Sequence, residues 1–356
     1  MPYSYITMQY NTILVNKMKL NHFFTLFFVL SMIFPLVSHA AEADDSITRI
    51  KKRGVVYCGT NRNNHDLAYK DEDGIWRGFD ASLCRALAAA FLDNKEQIEM
   101  IPISIDEVPN ALHTGKIDLM FGEFPLPAET EISTNTINLD VLYNEKVMLL
   151  AHKKEEATSL EDYRDSTICV VKSSVDSYLL SNFMYRYDLN LKPVSFATRD
   201  RAIEGFYLNR CALLPGASNE LRNIMQTKMK GKDYIELLPE VIGLRPVYLI
   251  ADKNSLKLGI AAKWIVNALR LAEDHHITSE NLPMMLGDKD LSVQNLLGNQ
   301  TALWKKFRVY PQWMRQFIID EGNFGEMYNR HLGPGTMMDL DPHESEQGLA
   351  KAKPFI

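Results

Sequence analysis

Apolar and polar positions along this chain switch between two periods. The segment Gly54-Val55-Val56-Tyr57-Cys58-Gly59 is short and apolar, the signature of a buried strand. A polar loop follows over 61–73, and Asp71-Glu72-Asp73-Gly74 carries the residues of a tight turn. Then the period changes. Leu83, Leu87, Ala90 and Phe91 recur at helical spacing, and Asp80 is placed to cap that helix by accepting first-turn amide hydrogens. The run Ala88-Ala89-Ala90 lets the apolar stripe lie close against a sheet, and Ile98–Ile103 reads as the next strand. Strand, helix, strand is the unit of a parallel sheet.

The same alternation continues. Ser46–Arg53 reads as a short helix and Asp106–His113 as another, stopped by Gly115 and followed by a strand at Ile117–Phe121. Gly122–Pro127, with Pro125 and Pro127, cannot extend regular structure. A loop at the carboxyl end of a parallel strand is where ligands bind in open α/β sheets. Val147–Ala151 is a further strand, and Lys153-Lys154-Glu155-Glu156 a solvated linker. Thr158-Ser159-Leu160-Glu161 offers a capping box. A second series then begins: strand 167–171, helix 175–187, strand 193–196, helix 200–207 and strand 211–214. Strands at 235–238 and 247–251 carry the chain back, and Leu256–Glu273 is an amphipathic helix. Helical pieces at 293–297, 303–309, 313–321 and 325–331 precede a polar tail. The expected fold is α/β with two lobes, each a small sheet flanked by helices. Lobe 1 takes 41–150 plus 245–335, lobe 2 takes 151–244, and 336–356 is the tail. Two lobes joined by more than one crossing make a hinged clamshell that closes on a small molecule.

The first forty residues differ. Lys17 and Lys19 precede the apolar run 23–37 and then Ser38-His39-Ala40, the layout of a secretory signal peptide cleaved after Ala40. The leader has its most usual proportions if translation starts at Met18 rather than Met1. The apolar run is shorter than the roughly 20 residues of a membrane span. Beyond it the chain has 37 basic and 45 acidic residues, a net charge of −8, and no basic block to track a phosphate backbone. Nucleic acid is therefore not an expected partner. All four cysteines, Cys58, Cys84, Cys169 and Cys211, lie past the leader. An even count in an exported chain points to disulfides, and four cysteines allow three pairings. Cys58–Cys84 and Cys169–Cys211 are the expected pairs, because each ties a strand to a nearby element of one lobe; four free buried thiols are the alternative. No CxxC pair supports a zinc ribbon or a thioredoxin-type site.

Several segments together resemble a known family. "RGVVYCGTN", "DGIWRGFDASLCRALAAAFL", "TICVV", "NRCALL" and above all "GNFGEMYNRHLGPGT" are similar to the periplasmic general L-amino-acid-binding proteins of ABC importers. The resemblance covers nearly the whole chain after Ala41 and implies the type II periplasmic-binding-protein fold. It also implies an arginine for the ligand carboxylate and an aspartate for its ammonium. Those two positions fall on Thr130 and Ala217. There is no Arg or Lys between Lys116 and Asn144, and no acidic residue over 212–219. Lys172-Ser173-Ser174-Val175 matches the family's hydroxyl stretch at a helix start, where Ser173 and Ser174 either cradle an anion or simply cap the helix. Glu123 and Phe124 replace a polar segment of the family and are candidates for an amine acceptor and a stacking ring. Leu67 falls where the family often has an aromatic lid. Arg62 is a candidate replacement for the missing arginine.

The expected function is that of an exported solute-binding protein of an amino-acid-type ABC transporter. It binds a small polar molecule, an amino acid or a related compound, by hinged lobe closure and hands it to a permease in the inner membrane; the two missing anchors point to a ligand without the α-amino-acid zwitterion, or to no ligand at all. No cofactor, metal or catalytic residue is expected. Two rivals are carried: a binding protein turned sensor or protein partner, and a periplasmic dehydratase of the cyclohexadienyl type. The second needs a poised carboxylate, for which Glu123 is the candidate; no GxSxG, HExxH or GxGxxG is present.

Overall fold

Eight strands form one sheet, in the order β4-β1-β5-β10-β6-β9-β7-β8, in the computed structural model. It describes residues 46–62, 67–123, 127–155, 157, 159–228, 234–299, 302–336 and 340. The leader, Phe124 and nearly all of the polar tail lie outside these residues. β1 (Val56–Asn61), β4 (Ile98–Ile103) and β5 (Leu119–Gly122) run parallel in the first lobe. β7 (Thr167–Val171), β8 (Lys192–Phe196) and β9 (Leu213–Ala217) run parallel in the second. β6 (Thr136–His152) and β10 (Ile235–Asp252) are long, antiparallel to each other, and pass from one lobe to the other. A small hairpin, β2 (Tyr69–Lys70) with β3 (Trp76–Arg77), stands apart.

Period-2 alternation decides which core each strand feeds. On β6, Val147, Leu149 and Ala151 enter one buried cluster of the second lobe, and Met148 and Leu150 enter the cluster on the opposite face. On β5, Leu119 and Phe121 enter the largest core, and Met120 the small cluster behind the sheet. The largest core is closed by the helices Phe79–Leu92, Leu256–Asp274, Trp313–Glu321 and Phe324–His331. Phe79 sits at its centre, with edge-on contacts to Tyr143, Phe324 and Tyr328.

Both expected disulfides are present. Cys58 of β1 is joined to Cys84 of the helix above it, and Cys169 of β7 to Cys211 at the approach to β9. Each lies within one lobe.

Several elements differ from expectation. The strands at 147–151 and 247–251 are the ends of much longer strands. Polar residues such as Asn138, Asp140 and Asn144 interrupt the apolar signal of β6, and Pro239, Gly243 and Pro246 punctuate β10, whose register slips between Leu238 and Gly243. Asp80 does not cap its helix. Gly78 is the N-cap, and the Asp80 side chain turns into the sheet to accept a hydrogen bond from Thr60. Helices at Pro127–Ser133 and Ser218–Thr227 carried no clear start signal in the sequence.

Candidate functional site

The loops that leave the carboxyl ends of β1, β5, β7 and β9 bring polar side chains toward the middle of the two long strands. Arg245 of β10 stands there, directly opposite Glu145 of β6 in the strand register. Its Nη2 donates to Glu145 Oε2 at 2.7 Å and its Nε to the same oxygen at 3.2 Å. Its Nη1 donates to Asp176 Oδ1 at 3.2 Å. Nη2 also lies 3.4 Å from Glu123 Oε1. Glu123 comes from the first lobe and Asp176 from the second, so one guanidinium is held by carboxylates from both sides of the crevice. Arg245, Glu145 and Asp176 are all buried, and Glu123 is mostly so.

Local chemistry places each group. Ser174 caps the helix Val175–Arg186 by accepting from the Ser177 amide, which fixes Asp176 in the first turn. An acidic side chain is favoured there by the helix dipole. Glu123 directly follows β5 and also accepts from Asn61 Nδ2 at 3.2 Å, at the end of β1. Below them Thr60 Oγ1 donates to Asp80 Oδ2 at 2.6 Å. The Cys58–Cys84 bridge ties the strand carrying Thr60 to the helix carrying Asp80.

A second charged pair flanks the first. Arg199 grips Glu220 with two hydrogen bonds, at 2.9 and 2.8 Å, and donates a third to the Pro215 carbonyl. Such a bidentate fork fixes both direction and distance. Gly216 makes room for it, since a Cβ there would come within 2.2 Å of Arg199 Nη2.

Several of these carboxyls depart from their ordinary acidities, and burial is the largest cause. Burial raises the Glu123 pKa to about 7; Arg245 opposes this, and Glu145, Glu220 and Asp176 add to it. Burial also raises Glu145, against the pull of Arg245. It raises Asp80 well above the carboxylate range, with Glu145 and Glu123 contributing and the Thr60 hydrogen bond opposing. Burial pushes Glu220 up as well, but Arg199 more than reverses this and leaves Glu220 below its usual value.

The residues singled out in the sequence are dispersed. Glu123 sits in the cluster, and Ser174 caps the helix that brings Asp176 to it. Ser173 is exposed, in a left-handed conformation just before that helix. Arg62 is half-exposed and pairs with Glu107 at 2.9 Å. Leu67 is buried in the large core. Thr130 is half-buried in the helix Pro127–Ser133, and Ala217 is buried at the end of β9, paired with Val147. Arg245, Glu145, Asp176, Asp80 and the Arg199–Glu220 pair were not singled out. Asp176 resembled an ordinary helix-start acid. Arg245 and Glu145 were hidden because the middles of β6 and β10 did not read as strand; charges inside a buried strand are the signal that could have found them.

No family model matches the chain. The glutamate/glutamine/aspartate/asparagine-binding protein BztA of Rhodobacter capsulatus is 24% identical over 327 residues, covering 90% of this chain and 96% of that protein. The general L-amino acid-binding periplasmic protein AapJ of Rhizobium johnstonii is 24% identical over 315 residues, covering 85% and 89%. Over most of its length the chain is thus similar to solute-binding proteins of amino-acid ABC transporters. A periplasmic binding protein from Brucella ovis, solved with glutathione bound, matches the fold with a TM-score of 0.73 at 22% identity, over 87% of this chain and 99% of that one. BztA and AapJ are binding proteins rather than enzymes, so neither the dehydratase nor the sensor reading is favoured. Among the described residues, no helix is long and apolar enough to cross a membrane and no group of three or more His, Cys, Asp or Glu is placed to hold a metal ion.

Proposed function

We propose that this binding protein takes a small amino-acid-type molecule between its lobes and presents it to an ABC permease. The observation that carries the reading is Arg245, a buried guanidinium contacted by Glu123 of one lobe and Asp176 of the other. With Thr130 and Ala217 uncharged, the anchors of the ligand are drawn from this cluster. The ligand carboxylate displaces one of the carboxylates on Arg245 and is helped by the amide hydrogens around Ser173 and Ser174, at the helix start. The ligand ammonium goes to the carboxylate released, with Glu123 the nearest to the first-lobe loop. Phe124, next in that loop, stands as the stacking candidate.

A thermal-shift and calorimetric screen with single L-amino acids, dicarboxylates and small amines tests this. Ligand that binds only the folded state raises the melting temperature by mass action. The expected result is stabilisation by at least one class, lost in Arg245→Met even where that variant is folded. Binding unchanged in a folded Arg245→Met protein would refute the assignment of the site.

A further inference from the structure

A cationic face lies away from the crevice, and its role does not depend on which ligand is bound. No long basic run occurs in the sequence, yet the fold assembles this face from three separate segments, 46–53, 253–264 and 302–310. Together they carry ten basic residues and no acidic one, in a chain with 45 acidic and 39 basic residues. Contacts lace the three together. Ser46 Oγ donates to Ser255 Oγ at 2.7 Å, and Arg308 donates to the Thr48 hydroxyl. The Lys51 ammonium lies 5.0 Å from the centre of the Tyr310 ring. The rings of Trp264 and Phe307 stack with centroids 6.5 Å apart. Burial, and after it the charge of Arg308, lowers the Lys51 pKa, so like charges are held close here.

Helix geometry sorts the side chains. On the helix Ser46–Arg53, Ile47 and Ile50 are buried and Arg49 and Arg53 turn toward Asp118. Lys51 and Lys52 stay exposed, on the side of the helix that carries Thr48. On the helix Leu256–Asp274, residues Leu256, Ile260, Lys263 and Trp264 recur at spacings that put them in one stripe. Leu256 and Ile260 are exposed there, and Lys263 and Trp264 half-buried. Lys305 and Lys306 are exposed in the third segment, with Tyr310 exposed beyond them.

The makeup of the face selects its partner. Its exposed charge is mostly lysine, a hydrated point charge on a flexible stem, which suits a diffuse anionic surface better than one particular carboxylate. Aliphatic and aromatic side chains stand among the lysines, the combination that settles at a lipid interface. We propose that this face docks the protein on an anionic phospholipid surface, with Lys51, Lys52, Lys305 and Lys306 over the headgroup phosphates and Leu256 and Ile260 against the acyl boundary.

The experiment is co-sedimentation of the chain from Ala41 onward with phosphatidylcholine vesicles, with and without about one-third phosphatidylglycerol. The chain keeps Glu42, Asp44 and Asp45, which precede Ser46 and lie outside the described residues, so any screening by them is counted in the result. At about 20 mM salt, binding to the anionic vesicles should be about tenfold or more tighter than to the neutral ones, and about 0.5 M salt should remove the difference. Changing Lys51, Lys52, Lys305 and Lys306 to Gln should weaken anionic binding at least tenfold, with each pair alone giving part of the loss. Changing Lys153, Arg186, Lys192 and Lys228 of the second lobe to Gln alters the net charge equally and should leave binding nearly intact. Leu256→Ser with Ile260→Ser should weaken binding severalfold and keep its salt dependence. Equal binding to both vesicles, binding to neither, or full binding by the folded lysine variants overturns the proposal. Salt-sensitive binding to soluble poly-L-glutamate but not to the anionic vesicles would assign the face to an acidic protein and overturns it as well. None of these failures touches the ligand screen above, so the binding reading stands or falls separately.

Discussion

Glu123→Gln in the empty protein isolates the electrostatic tension of the crevice. The folded protein holds Glu123 near pKa 7, against an ordinary value of 4.5. A carboxyl whose pKa is raised by folding stabilises the fold while it keeps its proton. That contribution is complete below about pH 4.5 and is lost as pH rises through 7. The difference in pKa corresponds to about 3 kcal/mol, at 1.36 kcal/mol per pKa unit. Gln keeps the shape of the protonated acid and does not ionise. Wild type and variant should therefore unfold alike near pH 5, and by pH 8 the variant should be more stable by about 3 kcal/mol, roughly 5 °C in melting temperature for a chain of this size. Asp80 and Glu145 are raised by burial in the same way, so wild-type stability falls with pH for several reasons at once. The difference between the two proteins cancels most of that common trend. The assay is urea unfolding at pH 5, 6, 7 and 8, followed by intrinsic fluorescence. Curves that stay parallel across that range would refute the reasoning, because they would mean that Glu123 is ionised in the fold from the outset.

Three further outcomes follow from contacts already described. Arg245→Met strands Glu145 and Asp176 in a buried setting and should cost about 3–5 kcal/mol near neutral pH, with partial recovery in the double variant Arg245→Met/Glu145→Gln; chemical unfolding checks both. Replacing Cys169 and Cys211 by Ser removes a cross-link spanning 42 residues, and chain entropy alone gives about 4 kcal/mol, slightly more than for Cys58–Cys84, which spans 26; thermal melts of each pair of variants test the order. Gly298→Ala should cost about 3 kcal/mol or prevent folding, since φ is +75° there and a Cβ would lie 1.9 Å from the Pro311 carbonyl oxygen; expression yield and melting temperature report it.

Sequence alone reached much of the frame and little of the site. The run Thr167–Val171 identified a strand because its three central residues are all buried, and Ile98–Ile103 because Ile98, Met100 and Ile103 are buried while Glu99 and Pro102 are exposed. The helix Leu256–Asp274 was visible because its apolar positions repeat against a single core. The long crossing strands were not visible. Their middles lie between the lobes, where one side faces a polar crevice, so the apolar signal fades where β6 and β10 carry Glu145 and Arg245. Asp80 misled for a related reason. An aspartate at a helix start usually serves the helix, whereas this one serves Thr60, brought close only by the packing of the helix onto β1. Contacts between residues far apart in the chain, such as Glu123 with Arg245, have no local pattern from which they could be read.

The two long strands also set an order of assembly. Every side chain in the two clusters of the second lobe falls within the uninterrupted stretch from Val147 to Ile242. The largest core draws on residues from Ile47 to Tyr143 and then on none before Val247. A growing polypeptide can therefore complete its inner half while the outer half still waits for its central strand. Arg245 sits at the seam where the late segment arrives. Until that segment docks, the three acids lack the guanidinium they share, so this cluster is completed only with the last act of folding.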